Sequence, residues 1–379
     1  MKAPTTTILA LLASTIASSA FDAAQANPMH AGIDYHRYLE EKETIGAELD
    51  AWMNKYKDVA EKNGWMPSTE SRSAEEVDED RKQRFFMSKQ LVADLKNANP
   101  DAQFSTDSPF SLLTTQEFAE YIKNSFVAAS PVSQREGQEH GNNQTESALE
   151  LAATGNVHAP RSYSLRDAAG VDWSTKRCMA PVQNQGSCGS CWAFATVSVA
   201  ETAMCIRQGG NSLVKLSEQN AASCDGRNRG CRGGWPSWNF EHLQRQGVCK
   251  AQDDPYTSAN GRLASCNSAC SKVPVPIQSV QRLQGEQQLI ATVDRQPVVV
   301  LVAAGNNAWK QYSGGVLSSC DTTTPDHAVV AVGYDATSIK IRNSWGPRWG
   351  ESGYIRLRRG GGGSGVCSVA QDITHIVMK

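Results

Sequence analysis

The sequence predicts an α+β protein of two lobes with a cleft between them, preceded by a separate helical region. Three observations carry this. The first 177 residues contain no cysteine, and helical periodicity runs through them to about residue 122. A polar stretch then interrupts the chain. All eleven cysteines follow, with an apolar helix first and short β-branched runs after it. A helix-dominated half followed by a strand-dominated half packs as segregated layers, and clefts form where such halves meet. A chain of 379 residues fits two or three structural units.

Bulk composition narrows the function classes. With 37 basic against 39 acidic residues there is no basic excess, which argues against nucleic acid as the main partner. Hydrophobic content of 40% is ordinary for a globular chain. Beyond the N-terminus no apolar run approaches the roughly 18 residues that span a bilayer, so no membrane span is predicted. The first twenty residues read as a signal peptide: Lys2, a short apolar stretch over 8–16, then Ala17, Ser18, Ser19 and Ala20. Cleavage is expected after Ala20 or Ala26, and the chain is expected to enter the secretory route toward the outside or a lysosome-like vacuole.

The next elements are helices. Ile45, Leu49, Trp52, Tyr56 and Val59 recur at spacings of three and four, one face of an amphipathic helix. A second helix over 74–97 carries Phe85, Val92 and Leu95 among many charges, and a shorter one falls near 115–122. Over 130–157 the composition shifts to Gln, Glu, Ser, Asn, Gly and His. Such a stretch buries too little surface to offset its chain entropy and reads as an exposed linker. It contains the glycosylation sequon Asn143-Gln144-Thr145 and is a natural place for proteolytic cutting. The expected division is a signal peptide 1–20, a helical segment 27–125, a linker 126–158 and a main domain 159–379.

In the main domain a helix runs from Cys191 to about Ile206, and strands are predicted over 298–302, 328–332, 339–341 and 354–357. An odd number of cysteines in an oxidising compartment leaves one thiol after five pairs form. The most specific stretch is Gln185-Gly186-Ser187-Cys188-Gly189-Ser190-Cys191-Trp192-Ala193-Phe194. A cysteine in the first turn of a helix sits where backbone N–H groups and the helix dipole favour the thiolate. A histidine beside it can hold the proton and return it to a departing amine. His327 lies 136 positions after Cys191 in Asp326-His327-Ala328-Val329, and Asn343 lies 152 after it in Arg342-Asn343-Ser344-Trp345-Gly346.

These three motifs, in this order and spacing, resemble the papain and cathepsin family of cysteine proteases. The family's Cys-Gly-Ser-Cys-Trp signature and downstream His and Asn are themselves standard examples of such a pattern. The resemblance implies a papain-like two-lobe fold with a helical left lobe and a β-barrel-like right lobe, behind a helical inhibitory pro-domain. It implies a cysteine endopeptidase made as a zymogen, acting without cofactor or metal. Cys191 is then the nucleophile, His327 the acid and base, Asn343 the group that orients the imidazole, and Gln185 an oxyanion donor. Trp345 shields the His–Asn hydrogen bond. Gly233, Gly234, Trp235, Pro236, Leu301, Asp326 and Ala328 are implied to line the substrate cleft. Asp372, five positions past Cys367, matches the base of the second subsite before the cut bond, where a carboxylate can pair with a basic substrate residue. The competing reading turns Asp372 to solvent.

Three bridges match the family: Cys188 with Cys231, Cys224 with Cys266, and Cys320 with Cys367. For Cys178, Cys205, Cys249 and Cys270 the simplest pairing is Cys178 with Cys205 and Cys249 with Cys270; sequence leaves open an exchange between Cys266 and Cys270. The N-terminal helices resemble the family's pro-segment loosely. Arg81, Phe85 and Val92 stand at its helix signature, Ser88 and Lys96 replace the expected asparagines, and Phe110 with 113–118 represents its later part. Activation cleavage is expected near 155–160. Implied partners are peptide and protein substrates, the chain's own pro-segment and cystatin-like inhibitors, with a monomer as the family default.

Two other chemistries are weaker. A thiol–disulfide oxidoreductase would use Cys188 and Cys191 as a cycling pair, but Trp192 follows the second cysteine rather than preceding the first. A zinc module would need short-spaced ligand pairs, and the His and Cys spacings do not supply them. A catalytically dead homologue is disfavoured because each catalytic position holds a competent residue. No His-rich insert of the kind that makes exopeptidases falls between Gly234 and Cys320, so endopeptidase is expected.

Overall fold

The N-terminal helices form on the stripes the sequence shows. The computed structural model describes residues 28–123 and 170–379. The signal segment, the linker with Asn143-Gln144-Thr145 and the expected cleavage region lie outside the described residues. Helix α1 (Tyr35–Lys62) buries Tyr38, Ile45, Leu49, Trp52, Tyr56 and Ala60, and Asp34 caps it by accepting from the Arg37 N–H. Helix α2 (Ala74–Ala98) opens with a complete capping box: Ser73 accepts from the Glu76 N–H and Glu76 from the Ser73 N–H. Such a cap is typically worth about 1 kcal/mol. The α2 stripe is thin in apolar residues, and the helix also buries Asp80, Gln83, Arg84 and Ser88. Ion pairs add to the packing of Phe85, Phe86 and Leu95: Asp80 meets Arg84, Arg72 and His30.

Strand β1 (Ala102–Phe104) and helix α3 (Thr115–Lys123) carry this region onto the rest of the chain. The C-terminal part begins with β2 (Val171–Asp172), then α4 (Cys191–Arg207), α5 (Glu218–Cys224) and α6 (Pro236–Gln246). After these come β3 (Ile277–Leu283), α7 (Glu286–Val293), β4 (Val298–Val302) and α8 (Asn307–Gln311). The chain ends through β5 (Tyr312–Leu317), β6 (His327–Tyr334), β7 (Ser338–Arg342), β8 (Tyr354–Arg358) and β9 (Ile373–Met378). The sheet runs β1-β5-β8-β7-β6-β4-β9-β3, with β2 pairing on β6. Every pair is antiparallel except β5 with β8.

The α+β, two-lobe architecture with a helical N-terminal region is present. The right-lobe sheet, expected to be barrel-like, is an open path rather than a closed barrel, with β1 and β3 at its ends. The β1 edge is contributed by the N-terminal region, which pairs antiparallel with β5 and so covers a row of unsatisfied backbone groups. Asn99, at the end of α2, fixes that register by accepting from the N–H and hydroxyl groups of both Ser318 and Ser319.

Helix α4 is buried nearly all round, from Cys191 to Cys205. It lies against β6, α5 and α6 and is the axle of the left lobe, which explains its unbroken apolar face. Five disulfides join Cys178 to Cys205, Cys188 to Cys231, Cys224 to Cys266, Cys249 to Cys270 and Cys320 to Cys367. Cys191 keeps its thiol. No described helix is long and apolar enough to cross a membrane.

Candidate active site

The start of α4 meets the start of β6 at the junction of the lobes, and that meeting builds the site. Cys191 is the first residue of α4, so its sulfur lies at the positive end of the helix. The Ala328 N–H points at Cys191 Sγ over 3.4 Å. The strand that carries His327 therefore lies directly across from the thiol. Backbone N–H groups of Trp192 and of Cys191 itself also favour the thiolate.

His327 is fully buried, and its Nε2 lies 2.8 Å from Asn343 Oδ1. That oxygen also accepts the Ser344 N–H at 2.8 Å, which fixes the carboxamide's orientation. An amide oxygen only accepts, so Nε2 must carry the proton and Nδ1 presents a lone pair. Trp345 stacks on the imidazole with centroids 4.9 Å apart, and Trp309 meets it edge-on at 6.5 Å. These rings keep water from the Nε2–Asn343 bond.

Gln185 is buried between the two arms. Its Oε1 accepts from Ser344 Oγ at 2.6 Å and its Nε2 donates to the Cys188 carbonyl at 3.0 Å. Gly233 has φ +91°, in the left-handed region, and a Cβ at Gly234 would meet Asn228 Oδ1 at 2.5 Å and Trp192 at 2.8 Å. The glycine at 234 is thus demanded by the chain's own close packing against the residue after Cys191. Leu301 and Ala328 are opposite partners in the β4–β6 ladder, and both are buried. Asp326 accepts from the Ala304 and Gly305 N–H groups, and burial pushes its carboxyl up to about 6. Trp235 is half-buried at the N-cap of α6, and Pro236 is that helix's first residue. Asp372 is half-buried, and its carboxylate forms an ion pair with the exposed Arg282.

The N-terminal region closes this site. Phe110 and Phe118 meet Trp345 edge-on at 5.2 and 5.7 Å. The Tyr121 hydroxyl donates to the Gly186 carbonyl, and α3 lies close enough that a Cβ on Gly305 would touch Ile122 and Ala119. Water exclusion has an electrostatic consequence. Burial raises the Cys191 thiol from its ordinary 9.0 up to about 12 and lowers His327 from 6.5 to about 4. For the thiolate this is a net penalty of about 4 kcal/mol, left after the backbone N–H groups at the helix start have acted in its favour. Burial thus disfavours both charged forms, the thiolate and the imidazolium.

Several residues around the site carried no usable signal in the sequence. Trp309 sits in the short helix α8, and only the tertiary structure brings it to His327. The Tyr256 hydroxyl donates to the Gln185 carbonyl and meets Ser190 Oγ, bracing the loop before α4. In α2 the buried arginine is Arg84, bound to Asp80 and Glu117, whereas Arg81 is half-buried. Arg282 lies in β3, a strand the sequence did not reveal. Cys188 is bonded to Cys231, so Cys188 and Cys191 do not form a cycling pair.

Residues 168–377 match the family model described as papain family cysteine protease. Mexicain from Jacaratia mexicana is 38% identical over 200 residues, covering 52% of this chain and 92% of that one. A Carica candamarcensis cysteine protease solved in complex with E-64 is 39% identical, with a TM-score of 0.53 over 56% of this chain and 99% of its own. A ragweed pollen allergen cysteine protease solved in its proform is 28% identical, with a TM-score of 0.70 over 90% of this chain and 88% of its own.

Proposed function

Because the chain belongs to the papain family of cysteine proteases and is a cysteine endopeptidase with a zymogen form, we propose that Cys191 and His327 carry its chemistry and that residues 27–125 are its built-in inhibitor. The observation that supports this most is the fixed imidazole: with Nε2–H committed to Asn343, only Nδ1 remains to take a proton.

Once the pro-segment leaves, the thiol proton passes to His327 Nδ1 and the thiolate attacks the substrate carbonyl carbon. The tetrahedral oxyanion is held by the Cys191 N–H and by a Gln185 Nε2–H that swings from the Cys188 carbonyl; one such donor is typically worth about 3 kcal/mol. Nδ1–H then protonates the departing amine, leaving a thioester on Cys191. Water, deprotonated by the same nitrogen, releases the acid and restores the thiol. Asn343 orients the ring throughout. Substrate lies extended against Gly233 and Gly234, with its second residue before the cut bond facing Trp235, Pro236, Leu301 and Ala328.

The domain division 1–20, 27–125, 126–158 and 159–379, cleavage near 155–160 and delivery to the medium or an acidic vacuole belong to the same proposal. Cystatin-like inhibitors are expected to compete for the opened cleft. The test is activation of the purified chain followed by labelling with E-64. Label on Cys191, lost together with peptide hydrolysis in Cys191→Ala, is expected; hydrolysis that survives Cys191→Ala refutes the assignment.

A further inference from the structure

Asp372, which the family resemblance places at the base of the second subsite, already pairs with this chain's own Arg282. We infer that Arg282 is a specificity-determining residue: by holding Asp372 it makes this pocket select an apolar substrate residue and reject a basic one. The inference rests on the substrate placement proposed above.

The geometry ties the pair to the cleft. Asp372 immediately precedes β9, and its carbonyl accepts the Leu301 N–H at 3.1 Å. Leu301 is the ladder partner of Ala328, whose N–H points at Cys191 Sγ. On the other side, Arg282 stands on β3 opposite Thr374 of β9 and reaches Asp372 with Nη2. Its guanidinium also lies 5.6 Å from the Trp235 ring centroid, inside the range of a cation–π contact. Arg282 thus spans from the pocket's base to its aromatic wall.

The Asp372 side chain is only 12% exposed, so an unpaired carboxylate there would be costly and a cation beside it is held firmly. A basic substrate residue must compete with Arg282 for that carboxylate. Arg282 is tethered, so it competes at a high effective concentration and without loss of translational freedom. An apolar residue has no such rival and packs against Trp235, Leu301 and Ala328. Among the described residues neither Arg282 nor Asp372 has a second ion-pair partner, so the charge balance of the pocket is set by these two.

Removing each member should move preference in opposite directions. In Arg282→Ala the carboxylate is left for substrate, and a substrate Arg can bind it with two hydrogen bonds. In Asp372→Ala the guanidinium is left over Trp235 and favours an acidic residue. The Arg282 side chain is 57% exposed, so its loss opens no internal cavity.

The experiment uses the full chain, activated and titrated with E-64, with peptides that differ only in Leu, Arg or Glu at the second position before the cut. The ratio of kcat/KM for Arg over Leu is expected to rise at least about tenfold in Arg282→Ala, and the Glu over Leu ratio to rise several-fold in Asp372→Ala. The double variant should lose both gains. If Arg282→Ala leaves the Arg over Leu ratio within about twofold of the parent, or the double variant keeps the Arg282→Ala gain, the inference is overturned while the protease reading stands. A parent chain that E-64 does not label overturns that reading and the inference with it.

Discussion

Lys310 offers a direct test of how the pro-segment is held. It lies in α8 on the enzyme part, is 1% exposed, and points its Nζ at Ser88 Oγ of α2 over 3.2 Å. The groups around it come from the pro-segment: Ser88 and Arg84 of α2, Glu117 of α3, and Ser108, whose hydroxyl donates to the Lys310 carbonyl. Burial lowers its ammonium from an ordinary 10.5 to about 7; Glu117 opposes that shift and Arg84 adds to it. The covered state therefore binds fewer protons than the released state between pH 7 and 10.5. Docking is fully favoured above that window, weakens as pH falls through it, and changes little below it. The penalty at pH 7 is about 4 kcal/mol and at pH 9 about 2 kcal/mol, so docking should gain roughly 2 kcal/mol across that interval. Lys310→Met keeps the length and removes the charge, and Ser88 keeps its bond to the Ser111 carbonyl. In an inactive Cys191→Ala background, the urea midpoint for proteolytic cutting within α2 should rise from pH 7 to 9 with Lys310 and stay flatter with Met. Equal slopes in the two proteins would show that Lys310 does not titrate under the pro-segment.

Three further outcomes follow from the packing and charge of the zymogen. Glu117 is buried in part, which raises its carboxyl, but the Arg84 hydrogen bond and the Thr114 N–H outweigh this and hold it below its ordinary 4.5. Its contribution is therefore present above that value and lost as pH falls through the depressed one; Glu117→Gln should blunt acid release of the pro-segment and cost about 1 kcal/mol at pH 6, a modest figure because its side chain is 39% exposed. Phe118→Ala removes a fully buried ring from Trp345 and should cost about 3 to 5 kcal/mol, read as faster self-processing at fixed pH. Replacing Cys178 and Cys205 together opens a 27-residue separation and should lower the stability of the processed enzyme by roughly 3 to 4 kcal/mol in urea.

Local chemistry was enough to read much of this protein. The α1 and α2 stripes, α4 and the strands β4, β6, β7 and β8 follow from spacing and propensity over a few residues. Cys191, His327 and Asn343 stood out because the strings around them resemble the papain family's motifs in order and spacing. The short or mixed-polarity elements were not legible. Strand β3 reads Ile-Gln-Ser-Val-Gln-Arg-Leu with little burial, and β1 is three residues that become a strand only by pairing with β5.

Residue identity and order alone determined the lobed α+β class, the nucleophile candidate and the surplus thiol, since periodicity, helix position and cysteine parity are local or countable. Charge state and occupancy were decided only in three dimensions. That Asp372 is met by Arg282, 90 residues earlier, and that Lys310 sits under Ser88, 222 residues earlier, depends on strand and helix placement that no nearby spacing encodes. The same holds for the buried thiol: its pKa is raised chiefly by its burial, a property of the packed whole.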